Sequence, residues 1–122
     1  MPTADNHFAA TFKRLGGDKD LFRELVAFFR EDAPQLLMAL QTGLTAGTAD
    51  SVQRAAHSLR GLIANFDAER AMNIARLIEE SASKGMFQDI PAMLVELRIE
   101  VEDLQRILDE YTAQSSVISS RR

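Results

Sequence analysis

The 122-residue sequence contains no cysteine and no tryptophan, only three prolines, and two histidines far apart. Without cysteine there is neither a disulfide framework nor a thiol nucleophile. His7 and His57 lack the close spacing of zinc ligands, so no metal centre is expected. The formal net charge is −4, with no basic stripe to neutralise a phosphate backbone, which argues against a nucleic-acid partner. Charged residues interrupt every apolar run well short of the ~20 residues that span a bilayer, and no basic-then-apolar leader opens the chain. The expected setting is the cytoplasm, with no membrane role.

What is present is helical periodicity. At 46% hydrophobic, the chain suits one compact domain, too short for a kinase or an ATPase. Asp5 or Asn6 can cap a short first helix with Phe8, Phe12 and Leu15 on one face, stopped by Gly16-Gly17. Asp18 opens a long helix whose apolar positions, from Phe22 and Val26 to Leu40 and Leu44, recur at steps of three and four. Pro34 lies inside it, and because the pattern resumes in phase it predicts a kink near 30–33 rather than a break. Gly43 and Gly47 are expected to end this helix.

Thr48 is the expected cap of the next helix, with Asp50 in its first turn complementing the dipole. That helix runs from about residue 49 to 65 or 66. A fourth, capped by Asp67, carries Ala71, Ile74, Ala75, Ile78 and Ala82 inward and stops at Gly85. The last begins near Asp89 to Pro91 and places Leu94, Leu97, Val101, Leu104, Leu108 and Tyr111 on one seam. Four long amphipathic helices with short loops predict an all-α antiparallel up-down four-helix bundle with a short extra N-terminal helix. The domain is expected over residues 5–113, followed by a Ser-rich flexible tail over 114–122. A monomer is the default expectation.

One residue breaks the packing logic. In the third helix Val52, Ala55, Ala56, Leu59, Leu62, Ile63 and Phe66 form an apolar stripe roughly 120° wide, and His57 falls about 160° from its centre. His57 therefore faces solvent. Gln53 and Arg54 lie one turn before it, Arg60 and Gly61 one turn after, and Ala64 one turn further. A mid-helix glycine costs roughly 1 kcal/mol relative to alanine, so Gly61 asks for a reason such as close approach of a partner. With Ala64 it leaves a shallow clearing. His7, near the N-terminus with no pattern around it, reads as inert.

The order Leu15-Gly16-Gly17-Asp18, Leu21-Phe22, Leu25, then Ala56-His57-Ser58-Leu59-Arg60-Gly61, Ala64-Asn65, Ala68, Ala75, Ile78-Glu79 and Ala82 resembles the histidine-containing phosphotransfer (HPt) domains of multistep two-component phosphorelays. The resemblance covers about residues 12 to 110. It implies that His57 is the phosphoacceptor of a phosphocarrier without kinase activity of its own, taking a phosphoryl group from an aspartyl-phosphate receiver domain and passing it to another. The implied partners are response-regulator receiver domains and a hybrid sensor histidine kinase. Mg²⁺ would be supplied by the receiver, with no cofactor held by this chain.

Phosphoryl transfer is mostly positioning and charge neutralisation, so an exposed neutral imidazole suffices as nucleophile. Arg60, and with less support Arg54, can neutralise phosphoryl oxygens. Gly61, Ala64 and Gln53 form the expected receiver docking surface. Gln53 or another polar neighbour could fix the imidazole tautomer, and the sequence leaves that choice open. Glu79 reads as a surface or structural residue.

Two positions depart from the family pattern. Arg60 stands where lysine is commonest, which keeps the charge. Asp67 replaces a glycine suited to a left-handed turn, a conformation aspartate tolerates better than most residues.

Two other classes compete. A helical adaptor or dimerisation module could keep the fold without phosphotransfer, but retention of both His57 and Gly61 argues against it. The phosphoacceptor region of a sensor kinase typically has an acidic residue directly after its histidine and a proline a few positions later, whereas Ser58 and Arg60-Gly61 follow here. The initial Met1 and short N-terminal lead point weakly to a free-standing protein.

Overall fold

A computed structural model describes the backbone of residues 8–120 and the side chains of residues 8–113. Five helices follow in order: α1 (Ala9–Arg14), α2 (Lys19–Ala46), α3 (Ala49–Ala64), α4 (Glu69–Ser83) and α5 (Ile90–Ser120). Among the described residues there is no strand. The proposed caps Asp5 and Asn6, and His7, lie outside the described residues.

The long helices form the expected bundle. α2 packs on α3 and α5, and α4 packs on the same two, so α2 and α4 lie diagonally across the core. Each contributes one buried stripe: Phe22, Val26, Phe29 and Leu40 from α2; Val52, Leu59 and Ile63 from α3; Ala75 and Ile78 from α4; Leu97, Leu104 and Leu108 from α5. The short α1 closes one end. Phe8, fully buried, sits edge-on to Phe22, Phe66 and Tyr111, while Phe12 stacks on Phe22 with centroids 4.7 Å apart. Burying one such ring contributes about 1.5–3 kcal/mol, enough to hold a helix of six residues that would not persist alone.

Asp18 caps α2 as its sequence position suggests, its carboxylate accepting from Leu21 N–H at 3.0 Å. Pro34 lies on the exposed side of an unbroken α2. Gly47 ends the helix in the left-handed conformation at φ 69°.

Three local expectations need correction. Gly43 does not end α2; it is buried within it, where an added Cβ would lie 3.0 Å from Val52 Cγ2, so its missing side chain lets α3 approach. Thr48 occupies the N-cap position of α3 without a side-chain hydrogen bond. Asp67 is not the cap of α4, whose N-cap position is Ala68, also without a side-chain bond. Instead Asp67 takes φ 55° in the α3–α4 turn, and its Oδ2 accepts from buried Thr11 at 2.8 Å and from Arg14 at 3.0 Å. The carboxylate is recruited by α1 rather than by its own helix. The α5 backbone is helical as far as Ser120.

Candidate functional site

α3 and α4 place three side chains together on the outside of the bundle. The buried stripe of α3 includes Ala55, Ala56 and Leu59, so His57, between them in sequence, points outward with 64% of its side chain exposed. On α4, Ile78 is buried and the following residue, Glu79, lies at the edge of the core with 19% of its side chain exposed. Glu79 Oε2 is 2.9 Å from His57 Nδ1. Arg60, one turn along α3, puts Nη2 3.1 Å from Glu79 Oε1 and 3.1 Å from His57 Nδ1.

The arrangement selects a tautomer. A carboxylate oxygen is only an acceptor, so a 2.9 Å approach to Nδ1 requires a proton on that nitrogen. Nδ1–H then donates to Glu79, and the Arg60 guanidinium is satisfied by the other carboxylate oxygen rather than by the ring. The lone pair of the neutral imidazole is left on Nε2. Held at one side by a largely buried anion and open at the other, the ring has the geometry a positioned nucleophile requires.

The residues singled out from sequence divide clearly. His57 and Arg60 are brought together. Arg54 pairs with Asp50 at 2.9 Å on its own helix, and Gln53 makes no hydrogen bond to the imidazole. Gly61 faces open space, with nothing within 4 Å of a Cβ built on it. Ala64 is half-buried.

Sequence reasoning missed two parts of the site. Glu79 reads in sequence as a surface or structural residue, because nothing in one sequence shows which helix lies beside α3. The second part is a groove of about 540 Å³ between α2 and α3, lined by Asp32, Gln35, Leu36 and Ala39 on one side and Ser58, Gly61, Leu62 and Asn65 on the other. The helical spacing of 32, 35, 36 and 39 was the available signal, and it became informative only once α2 was known to flank α3. Phe28, one turn before Asp32, extends that outer face of α2 with 54% exposure. Among the described residues no group of three or more His, Asp or Glu side chains is gathered to hold a metal ion.

A four-helix bundle displaying one histidine, braced through Nδ1 by an acidic residue of the neighbouring helix, defines a class of small group-carrying domain. Residues 24–107 match the Hpt domain family, and the chain belongs to it. Hpt domains are histidine phosphotransfer modules of phosphorelays, carriers rather than kinases, working with receiver domains and kinases of two-component systems. The chain is also similar in fold to the crystal structure of histidine-containing phosphotransfer protein B (HptB) from Pseudomonas aeruginosa PAO1, with a TM-score of 0.79 at 24% identity, covering 90% of this chain and 93% of that one. A search of curated proteins finds no match.

Proposed function

We propose that His57 accepts a phosphoryl group from the aspartyl phosphate of one receiver domain and delivers it to the aspartate of another. The observation that carries this reading is the exposed ring whose Nδ1 is engaged by Glu79 at 2.9 Å, leaving Nε2 free. In the forward step the Nε2 lone pair attacks phosphorus, an N–P bond forms, and the P–O bond to the receiver's aspartate breaks to release its carboxylate. No proton need leave the imidazole. The ring becomes cationic, and Glu79 then faces a full positive charge through the same Nδ1–H bond, so its attraction strengthens as the bond forms.

Arg60 is a partly exposed cation beside the His57 ring, and in this reading its side chain supplies charge neutralisation for the phosphoryl group. Arg54, paired with Asp50, is a weaker contributor. Gly61 and the α2–α3 groove beside it form the receiver docking surface, where the missing side chain lets a partner's backbone approach the helix. In this reading Mg²⁺ and its acidic ligands belong to the receiver, and this chain contributes nucleophile, brace and surface. No helix of the described residues is long and apolar enough to cross a membrane, and we place the relay in the cytoplasm.

The test is transfer from a ³²P-labelled phosphorylated receiver. The parent should take up label that is stable to base and labile to acid, and His57→Gln should fold with the same helix content and take up none. Undiminished labelling of that variant would remove His57 from the role.

A further inference from the structure

The edge of the bundle opposite the His57–Glu79 pair is formed by α2 and α5, and it is not closed. Between these helices runs a groove of about 450 Å³ lined by Ala33, Pro34, Leu37 and Met38 of α2 and by Arg98, Val101 and Glu102 of α5, among others. Met38 in its lining is 69% exposed, and on the outer face of α5, three residues before Arg98 and Glu102 respectively, Val95 is 60% and Ile99 52% exposed. Scattered exposed leucines need no explanation, but exposed apolar residues beside an apolar groove mark a contact surface.

The charges beside the groove indicate what covers it. Every other arginine among the described residues has a carboxylate partner in the chain at 3.6 Å or less. Arg98 has none, and neither has Glu102, although the two are one turn apart on α5 and i,i+4 pairs form elsewhere on this surface. A cation and an anion about 6 Å apart along a helix, both unpaired, are self-complementary under a two-fold axis passing between them. With α5 antiparallel to its copy, Arg98 of each chain faces Glu102 of the other, whereas a parallel pairing would set like charges together.

We infer that the chain forms a two-fold dimer with a second copy of itself through the α2–α5 groove and the adjoining outer face of α5, joined by reciprocal Arg98–Glu102 pairs and covering the exposed side chains of Met38, Val95 and Ile99. Because that edge lies across the bundle from α3 and α4, both copies keep His57 accessible. The dimer does not depend on what His57 does.

Sedimentation of the full 122-residue chain over a range from micromolar to near-millimolar concentration tests this. The parent should shift from monomer to dimer with rising concentration. Arg98→Glu and Glu102→Arg should each weaken the dimer by about tenfold or more, since each sets like charges face to face. Combining them restores opposite charges across the axis and should bring the dissociation constant back to near the parent value. Met38→Asp should weaken association irrespective of salt, and circular dichroism checks that every variant remains folded. A parent that stays monomeric throughout would overturn the proposal and give the groove to a different partner. A dimer indifferent to the single reversals, or not rescued by the double one, would overturn it as well.

Discussion

Replacing Glu79 with alanine should slow phosphoryl transfer to His57 about tenfold while leaving the bundle folded. The carboxylate spans two partners, His57 Nδ1 at 2.9 Å and Arg60 Nη2 at 3.1 Å, with only 19% of its side chain in water. A hydrogen bond to a charged group contributes about 1.5–3 kcal/mol, and exposure of the imidazole brings the figure to the lower end of that range. Roughly 1.4 kcal/mol in the barrier is tenfold in rate. Part of the loss is positional, because a ring freed from Glu79 samples the tautomer with the proton on Nε2. The remainder is electrostatic, because the cationic product ring loses its counter-charge. Glu79→Gln separates the two: its amide oxygen can still accept from Nδ1–H but carries no charge, so its rate should fall between parent and alanine. Single-turnover loss of label from a phosphorylated receiver gives the rates, and ¹⁵N NMR of the imidazole reports which nitrogen is protonated. A parent-like rate for Glu79→Ala, or an Nε2–H tautomer in the parent, would refute the reasoning.

Three further outcomes are expected. Arg60→Ala should slow transfer modestly and shift the equilibrium towards the phosphorylated receiver, an effect that shrinks in high salt because the side chain is partly exposed, while Arg60→Lys keeps most function; forward and reverse rates at two ionic strengths check it. Gly61→Gln meets open space in the free protein, so thermal melts should show equal or slightly higher stability by up to about 1 kcal/mol of helix propensity, but the longer side chain intrudes on docking and transfer should slow; equal transfer rates would make Gly61 merely tolerated. Gly43→Ala should instead destabilise by about 1–2 kcal/mol in urea unfolding, because the new methyl meets Val52 Cγ2 at 3.0 Å and the Val52 backbone nitrogen at 3.2 Å, and this overpacking outweighs the gain in propensity.

The contrast between these two glycines shows where sequence reading reaches its limit. Both sit inside helices, and a single chain marks each as a local anomaly. Gly61 could be connected to His57 because both lie on one helix, where angular position follows from residue count. Gly43 reads in sequence as a helix terminus because the reason for it lies on α3, at Val52. Asp67 shows the same limit: its tolerance of a left-handed turn was readable, but its engagement by Thr11 and Arg14 of α1 was not.

The sequence by itself determined the helices, their buried stripes, the bundle class and the outward placement of His57, since each follows from a period of 3.6 residues acting within one segment. Only the tertiary structure decided which helix stands beside which. That choice brought Glu79 to Nδ1 and Arg60 to Glu79, and opened one groove beside Gly61 and another beside Arg98. Contacts within a helix are fixed by local geometry, whereas contacts between helices depend on how all the apolar stripes are buried together, and no window of sequence contains that information.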